Sequence, residues 1–148
     1  MATRSVIAIE NTDGTVTSVH CHWDGYIAGI GKMLLKHYNQ RDTVERLIAL
    51  GNLSSLKRQI DPVGQHSIKN PAEGVTIAYC RDRGDAWDAV KPRQFESLVA
   101  FVDSDFGRQD AAYFYVLTKD DIWTVHTSKN GKSIKESQVL ADICPVEC

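Results

Sequence analysis

The chain has 148 residues, of which 43% are hydrophobic and 24% charged, and its formal net charge is −2. One domain's worth of material in these proportions excludes wholesale disorder, a collagen-like rod or a coiled coil as the main architecture. The small net charge supplies no global basic field for nucleic acid, and no apolar run approaches the ~18–20 residues that cross a bilayer.

The first elements read as a hairpin. Arg4–Glu10 is rich in strand formers, and Asn11-Thr12-Asp13-Gly14 supplies turn chemistry, with Asp13-Gly14 suited to positive φ. Thr15–His22 returns as a strand. Its alternation sets Val19, Cys21 and Trp23 on a core face and Ser18, His20 and His22 on an opposite, solvated face. Trp23 is therefore expected to be largely buried. The opening residues lack the ~7–15-residue apolar core of a signal peptide, so the expected compartment is the cytoplasm. The four cysteines, Cys21, Cys80, Cys144 and Cys148, are expected there as reduced thiols. A Cys144–Cys148 disulfide would require the tail to turn back on itself.

Ile30, Met33, Leu34 and Tyr38 then fall on one face of an amphipathic helix. A second helix begins at Asp42, which caps it while Glu45 reaches back. Val44, Leu47 and Ile48 form its buried face, and Gly51 takes the C′ position. Pro62, Gly64, Asn70, Pro71 and Gly74 punctuate the next stretch, so residues 52–74 read as a long surface loop, mobile near 57–74. Val75–Cys80 reads as a strand ended by Arg81-Asp82-Arg83-Gly84-Asp85. Pro92–Asp103 fits a third helix with a stripe of Phe95, Leu98, Val99 and Val102. Ala112–Leu117, apolar on both faces, and Ile122–Thr127 form a closing hairpin across Lys119-Asp120-Asp121. Asn130-Gly131 is a further turn, and Ile134, Val139, Leu140 and Ile143 form a short final element. The order β-β-α-α-β-α-β-β predicts a single α+β domain over residues 1–148. Its expected sheet is antiparallel, with helices mainly on one face.

Several constellations bear on chemistry. His20 and His22, at i and i+2 on a strand, point the same way, but a zinc site needs further ligands, with Asp24, His66 or His126 as the candidates. Cys80, beside Arg81 and Arg83, is the better candidate nucleophile than a core-facing Cys21. The segment Gly25–Met33 resembles a phosphate loop only superficially. Tyr26 stands where the first glycine of GxxxxGK[ST] belongs and Met33 where its hydroxyl belongs, which excludes that nucleotide-hydrolysis motif. A glycine-rich helix start near Lys32 still has the ingredients of an anion site, and Arg81 and Arg83 offer forks for phosphate or carboxylate. From Tyr26 to Arg58, six Lys or Arg face two acids; from Asp82 to Asp110, seven acids face four bases. Such polarity can steer a charged partner.

The strings Cys21-His22-Trp23-Asp24-Gly25-Tyr26, Gly31-Lys32-Met33-Leu34-Leu35, Leu47-Ile48-Ala49-Leu50-Gly51-Asn52-Leu53 and Ala78-Tyr79-Cys80-Arg81-Asp82-Arg83-Gly84 resemble an uncharacterised family of small phage and prophage proteins. Histidine is expected there in place of Cys80, which weakens a catalytic reading of that cysteine. The resemblance covers most of residues 3–84 and implies a host bacterial cytoplasm. It implies no established activity. The first reading is a phage accessory protein that acts by binding and inhibits or modulates a host protein, such as one of antiviral defence. The alternatives are a sequesterer of a small anionic or nucleotide ligand and a small histidine- or metal-dependent enzyme. The ligand-binding candidates are Asp24, Tyr26, Lys32, Arg81, Asp82 and Arg83. No catalytic residue, metal ligand or cofactor is assigned, and neither a membrane nor nucleic acid is an expected partner.

Overall fold

The computed structural model describes residues 3–62, 64–105, 111–129, 132–133 and 138–143. The expected Asn130-Gly131 turn, Ile134 and the Cys144–Cys148 pair lie outside them. Strands β1 (Ser5–Glu10) and β2 (Val16–Cys21) form the expected hairpin, with Gly14 at φ +90° in its turn. Asp13 Oδ1 accepts from both the amide and the hydroxyl of Thr15, which fixes the turn. Strands β6 (Tyr113–Leu117) and β7 (Trp123–Lys129) form the second hairpin.

The two hairpins join through a parallel pairing of β1 with β6, from Ser5↔Tyr113 to Ile9↔Leu117. The sheet is therefore mixed, and the antiparallel expectation is corrected. A hairpin reading fixes partners that are close in sequence but not how one hairpin docks beside another. The strand order runs β4-β3-β2-β1-β6-β7, with β3 (Leu53–Ser55) parallel to β2 and β4 (Ile77–Ala78) antiparallel to β3.

Both faces of this sheet are covered. Ile7, Ile9, Val19, Cys21, Tyr115 and Leu117 pack against Ile30, Leu34 and Tyr38, and against Val44, Leu47 and Ile48. These come from a π-helical turn (Ile27–Gly31) running into α1 (Lys32–His37), and from α2 (Arg41–Ile48). On the other face Val6, Ala8, Val16, Phe114 and Val116 pack against Phe101 and Val102. Ser18 is consequently buried rather than solvated. Helix α2 starts one residue before the expected cap. Asp42 Oδ1 accepts from the Thr43 amide, while Arg41 donates to the Glu10 and Thr118 carbonyls and to Asp121, tying the helix start to both hairpins.

Three further expectations are corrected. Residues 53–55 form β3, inside the stretch read as loop. The strand expected over 75–80 is cut to β4, because Tyr79–Arg83 turns into the short helix α3. Asp82 reaches back to accept from the Ala78 amide at 2.7 Å, and Gly84, at φ +87°, ends the turn. A one-turn helix α4 (Trp87–Val90) comes next. The helix expected from Pro92 begins only at Leu98: Arg93–Phe95 instead forms β5 on the edge of β2, and Ser97 Oγ caps α5 (Leu98–Asp105) by accepting from Ala100. With that shift Val99 faces solvent at 69% exposure and Phe101 takes the core position. Leu140, at the start of α6 (Leu140–Ile143), is buried in the first cluster. No helix among the described residues is long and apolar enough to cross a membrane.

Candidate functional site

The turn between β2 and the π-helix is built from the sheet outward. The backbone of His22 and Trp23 continues the pairing with Leu53 and Ser54. Asp24 then takes φ +60°, a left-handed conformation that aspartate tolerates better than most residues. This redirects the chain, so Trp23 does not continue the buried face of β2. It is 47% exposed and meets the His22 ring edge-on at 4.7 Å, correcting the expectation of burial. Gly25 is pressed against the N-terminal strand: a Cβ there would lie 2.8 Å from the Thr3 carbonyl and from Ser5 Cβ. Its amide donates to Thr3 O at 2.8 Å, and its carbonyl accepts the Tyr115 hydroxyl at 2.7 Å.

Behind this turn opens a cavity of about 320 Å³. Asp24 and Tyr26 line it from the turn, Lys32, Lys36 and His37 from α1, and Lys57 from the segment after β3. The Lys57 backbone is fixed: its carbonyl accepts the buried Tyr38 hydroxyl at 2.5 Å, and its amide donates to Thr76 Oγ1. Tyr38 is itself held by Trp123, whose indole N–H donates to the Tyr38 carbonyl at 2.8 Å. Burial pushes the Tyr38 phenol above its usual range, so it remains a neutral donor. The ammonium groups of Lys32, Lys36 and Lys57 have no carboxylate partner among the described residues. Tyr26 is 44% exposed. Three lysines against one aspartate, beside an aromatic ring, suit an anion that carries a flat ring.

The helix-start amides expected to hold that anion are already engaged. Gly29 donates to Tyr26 O and Ile30 to Asp24 O, each at 2.9 Å, and Lys32 donates within the π-helix to Gly29 O and Ile27 O. With these three amides engaged, the charge of the lysines is what the cavity chiefly offers an anion. Gly29 has a steric role: a Cβ there would stand 2.5 Å from Asp24 O and 3.0 Å from the Tyr26 ring.

Asp24, Tyr26 and Lys32 thus share one cavity, whereas Arg81, Asp82 and Arg83 are not among its lining residues. Arg81 donates to Ile60 O, Thr76 O and both oxygens of Asp82. Asp82 is buried with the side chain of His66, whose Nε2 lies 3.2 Å from Asp82 Oδ2 and from Thr76 O. His66 Nδ1 accepts the Ala72 amide at 2.8 Å, which places the ring proton on Nε2. Burial alone would raise the Asp82 carboxyl, but the Arg81 hydrogen bond, the Ala78 amide and the nearby charges outweigh it and leave it below the usual range. Ile68 also donates to the Asp82 carbonyl, and Gln59 pairs with Val75 in an isolated bridge. Arg83 forms a two-pronged pair with Asp85 at 2.6 Å and lies over the Tyr79 ring. Both arginine forks are therefore occupied within the protein.

The other constellations also resolve. Cys21 is fully buried and its thiol is pushed up to about 12 by that burial. Cys80 lies on helix α3 rather than at a strand end. Among the described residues no three His, Cys, Asp or Glu side chains converge as metal ligands. Sequence pattern alone does not single out Lys36 or Lys57, although both belong to the basic segment. Compared with known proteins, the chain matches no family model, no curated protein and no solved structure.

Proposed function

We propose that this protein works by binding, and that the cavity behind the Asp24–Tyr26 turn takes a small anion bearing a flat ring, of which a nucleotide is the simplest example. The observation that carries this reading is the convergence of three unpaired lysines with a half-exposed Tyr26 on one cavity of about 320 Å³. That volume falls at the lower end of the ~300–1,000 Å³ of small-molecule sites. Tyr26 stacks on the ring, the lysines meet the anion, and Asp24 accepts from a hydroxyl or exocyclic amine. In the phage setting implied by the sequence resemblance, such a protein would withhold a soluble signal from its host.

Calorimetric titration with nucleoside monophosphates tests it. Binding should weaken roughly tenfold in Lys32→Ala/Lys36→Ala and fall with added salt, as screened charge contacts do. Absence of heat from every nucleotide removes the reading. A second reading, occupancy of a host protein, draws on Trp23 and Tyr26, which are both about half exposed and lie in the same turn. Host-lysate pull-down with a Trp23→Ala/Tyr26→Ala control, scored for a stoichiometric protein in place of a nucleotide, separates the two.

A further inference from the structure

A second cavity lies on another part of the molecule, beside Trp87. Helix α4 is one turn long, yet it is firmly seated: Val90 O accepts the Asn52 amide at 2.7 Å, and Trp87 O accepts the Lys91 amide at 2.7 Å. Gly51, at φ +82°, makes room for it, since a Cβ there would lie 2.5 Å from Val90 O and 3.2 Å from the Trp87 ring. The ring is thus backed by the chain on one side while 45% of the residue stays exposed. Unlike Trp123, whose indole N–H is bonded in the core, Trp87 has no acceptor for its N–H among the described residues.

Trp87 lines an open cavity of about 420 Å³ between α2 and β5. Glu45 lines it from α2 and Gln94 from β5, and neither side chain has a hydrogen-bond or ion partner among the described residues. Asn11 is already held by bonds to Thr15 and Thr17 and forms a fixed polar wall. A neighbouring cavity of about 630 Å³ shares Lys91, Pro92 and Gln94, so the groove continues beyond one pocket. The charges are balanced: Glu45 on one side, and Lys91, itself 3.7 Å from Asp88, on the other.

We propose that this groove binds a neutral, hydroxyl-rich ring, that is, a saccharide. Trp87, Glu45 and Gln94 line one cavity, and an indole N–H without an acceptor, a carboxylate and a primary amide there suit a ligand that presents closely spaced donors and acceptors together with a C–H face. Sugar hydroxyls are both donor and acceptor, and the C–H face of a pyranose lies on an indole ring. Across the two cavities the acids Glu45 and Asp88 match the bases Lys91 and Arg93 in number, so the groove offers a phosphate no net positive charge. The two-cavity groove matches a chain of rings better than a single one. This site is separate from the lysine-lined cavity and does not depend on it.

The test is NMR of the indole N–H groups of the full chain, assigned with single Trp→Phe variants. The protein is titrated in turn with maltotriose, cellotriose and tri-N-acetylchitotriose. At least one sugar should shift the Trp87 resonance saturably and leave that of Trp23 in place. Gln94→Ala and Glu45→Gln should each weaken that binding roughly fivefold or more, a loss on the scale of one hydrogen bond. No shift of Trp87 with any of the three, an equal shift of Trp23, or unchanged affinity in Trp87→Ala would overturn the proposal. If Trp87→Ala does not fold, unchanged affinity in Gln94→Ala, whose side chain makes no hydrogen bond within the described residues, overturns it equally.

Discussion

The Tyr115 hydroxyl, projecting from a strand paired on both sides, donates to the Gly25 carbonyl at 2.7 Å across a fully buried gap. This one bond couples the middle of the sheet to the turn that shapes the lysine-lined cavity. Tyr115→Phe should keep the packing but leave that buried carbonyl unpaired. The expected cost is about 1–2 kcal/mol in chemical denaturation. A wild-type midpoint would show the turn to be held by other contacts.

Gly29→Ala puts a methyl group 2.5 Å from Asp24 O. Backbone cannot yield as a flexible side chain does, so the π-helical turn must open, at a cost of about 1–3 kcal/mol. Nucleotide affinity should drop in the same variant, because Asp24 and Tyr26 move together. Gly14→Ala would be an informative companion: its Cβ would meet nothing within 4 Å, though φ +90° strains it, so it should lose stability without losing affinity.

Trp23→Ala should be mild, below about 1 kcal/mol, because the residue is 47% exposed. The pattern of β2 alone predicts a core tryptophan, whose removal would cost ~3–5 kcal/mol. Thermal melts of the variant distinguish the two directly. Alternation stops being informative where the strand stops: β2 ends at Cys21, and Asp24 at positive φ turns the chain away.

That limit recurs wherever tertiary partners decide local structure. The hairpins and the Val44, Leu47, Ile48 face of α2 are legible because period-2 and period-3.6 patterns need only the residues themselves. Strand β5 is not, since Arg93–Phe95 becomes a strand only by meeting the free edge of β2. Nor is α3, whose first turn depends on Asp82 turning inward to Ala78 and His66. Asp24, Tyr26 and Lys32 can be grouped from sequence because a turn and a helix start adjoin there. Lys57 lines the same cavity with its backbone held by Tyr38 and Thr76, long-range bonds that no spacing rule reveals. Arg81 and Arg83 look available in the sequence because their partners at residues 60, 76 and 85 cannot be assigned from pattern alone.

The Asp82 cluster sets an acid limb of stability. The folded carboxyl titrates below the unfolded value of ~3.9, so the native state binds fewer protons than the unfolded chain between the two. Its contribution is fully present above about pH 4–5 and disappears as pH falls through the folded value. Asp82→Asn should flatten this limb in denaturation measured across acidic pH, and Asp82→Ala should cost about 3 kcal/mol at neutral pH by leaving Arg81 and the Ala78 amide without a carboxylate. A parallel acid limb in Asp82→Asn would assign the effect to other carboxylates.

Thiol chemistry should separate the two described cysteines. With its thiol pushed up to about 12 and no solvent access, Cys21 should resist alkylation near pH 8 in the folded protein. Cys80, partly exposed on α3, should react first of the two. Peptide mapping after brief iodoacetamide treatment reads this out, and rapid labelling of Cys21 would show the β2–β3 seam to be open in solution.

The parallel seam between β1 and β6 also dictates an order of assembly. Its partners lie about a hundred residues apart, from Ser5 with Tyr113 to Ile9 with Leu117. As the chain leaves the ribosome, the first hairpin can close early, but the other edge of β1 has no neighbour until β6 has emerged. For most of synthesis Val6–Ile9 is then an apolar strand with one bare edge, open to any other extended chain nearby. The loop closed by that pairing is the largest in the sheet, so it is slow to form and late to reward the chain. Fragments ending before residue 113 should aggregate rather than fold, and the rate of folding should depend on how quickly the β6–β7 hairpin finds the β1–β2 hairpin.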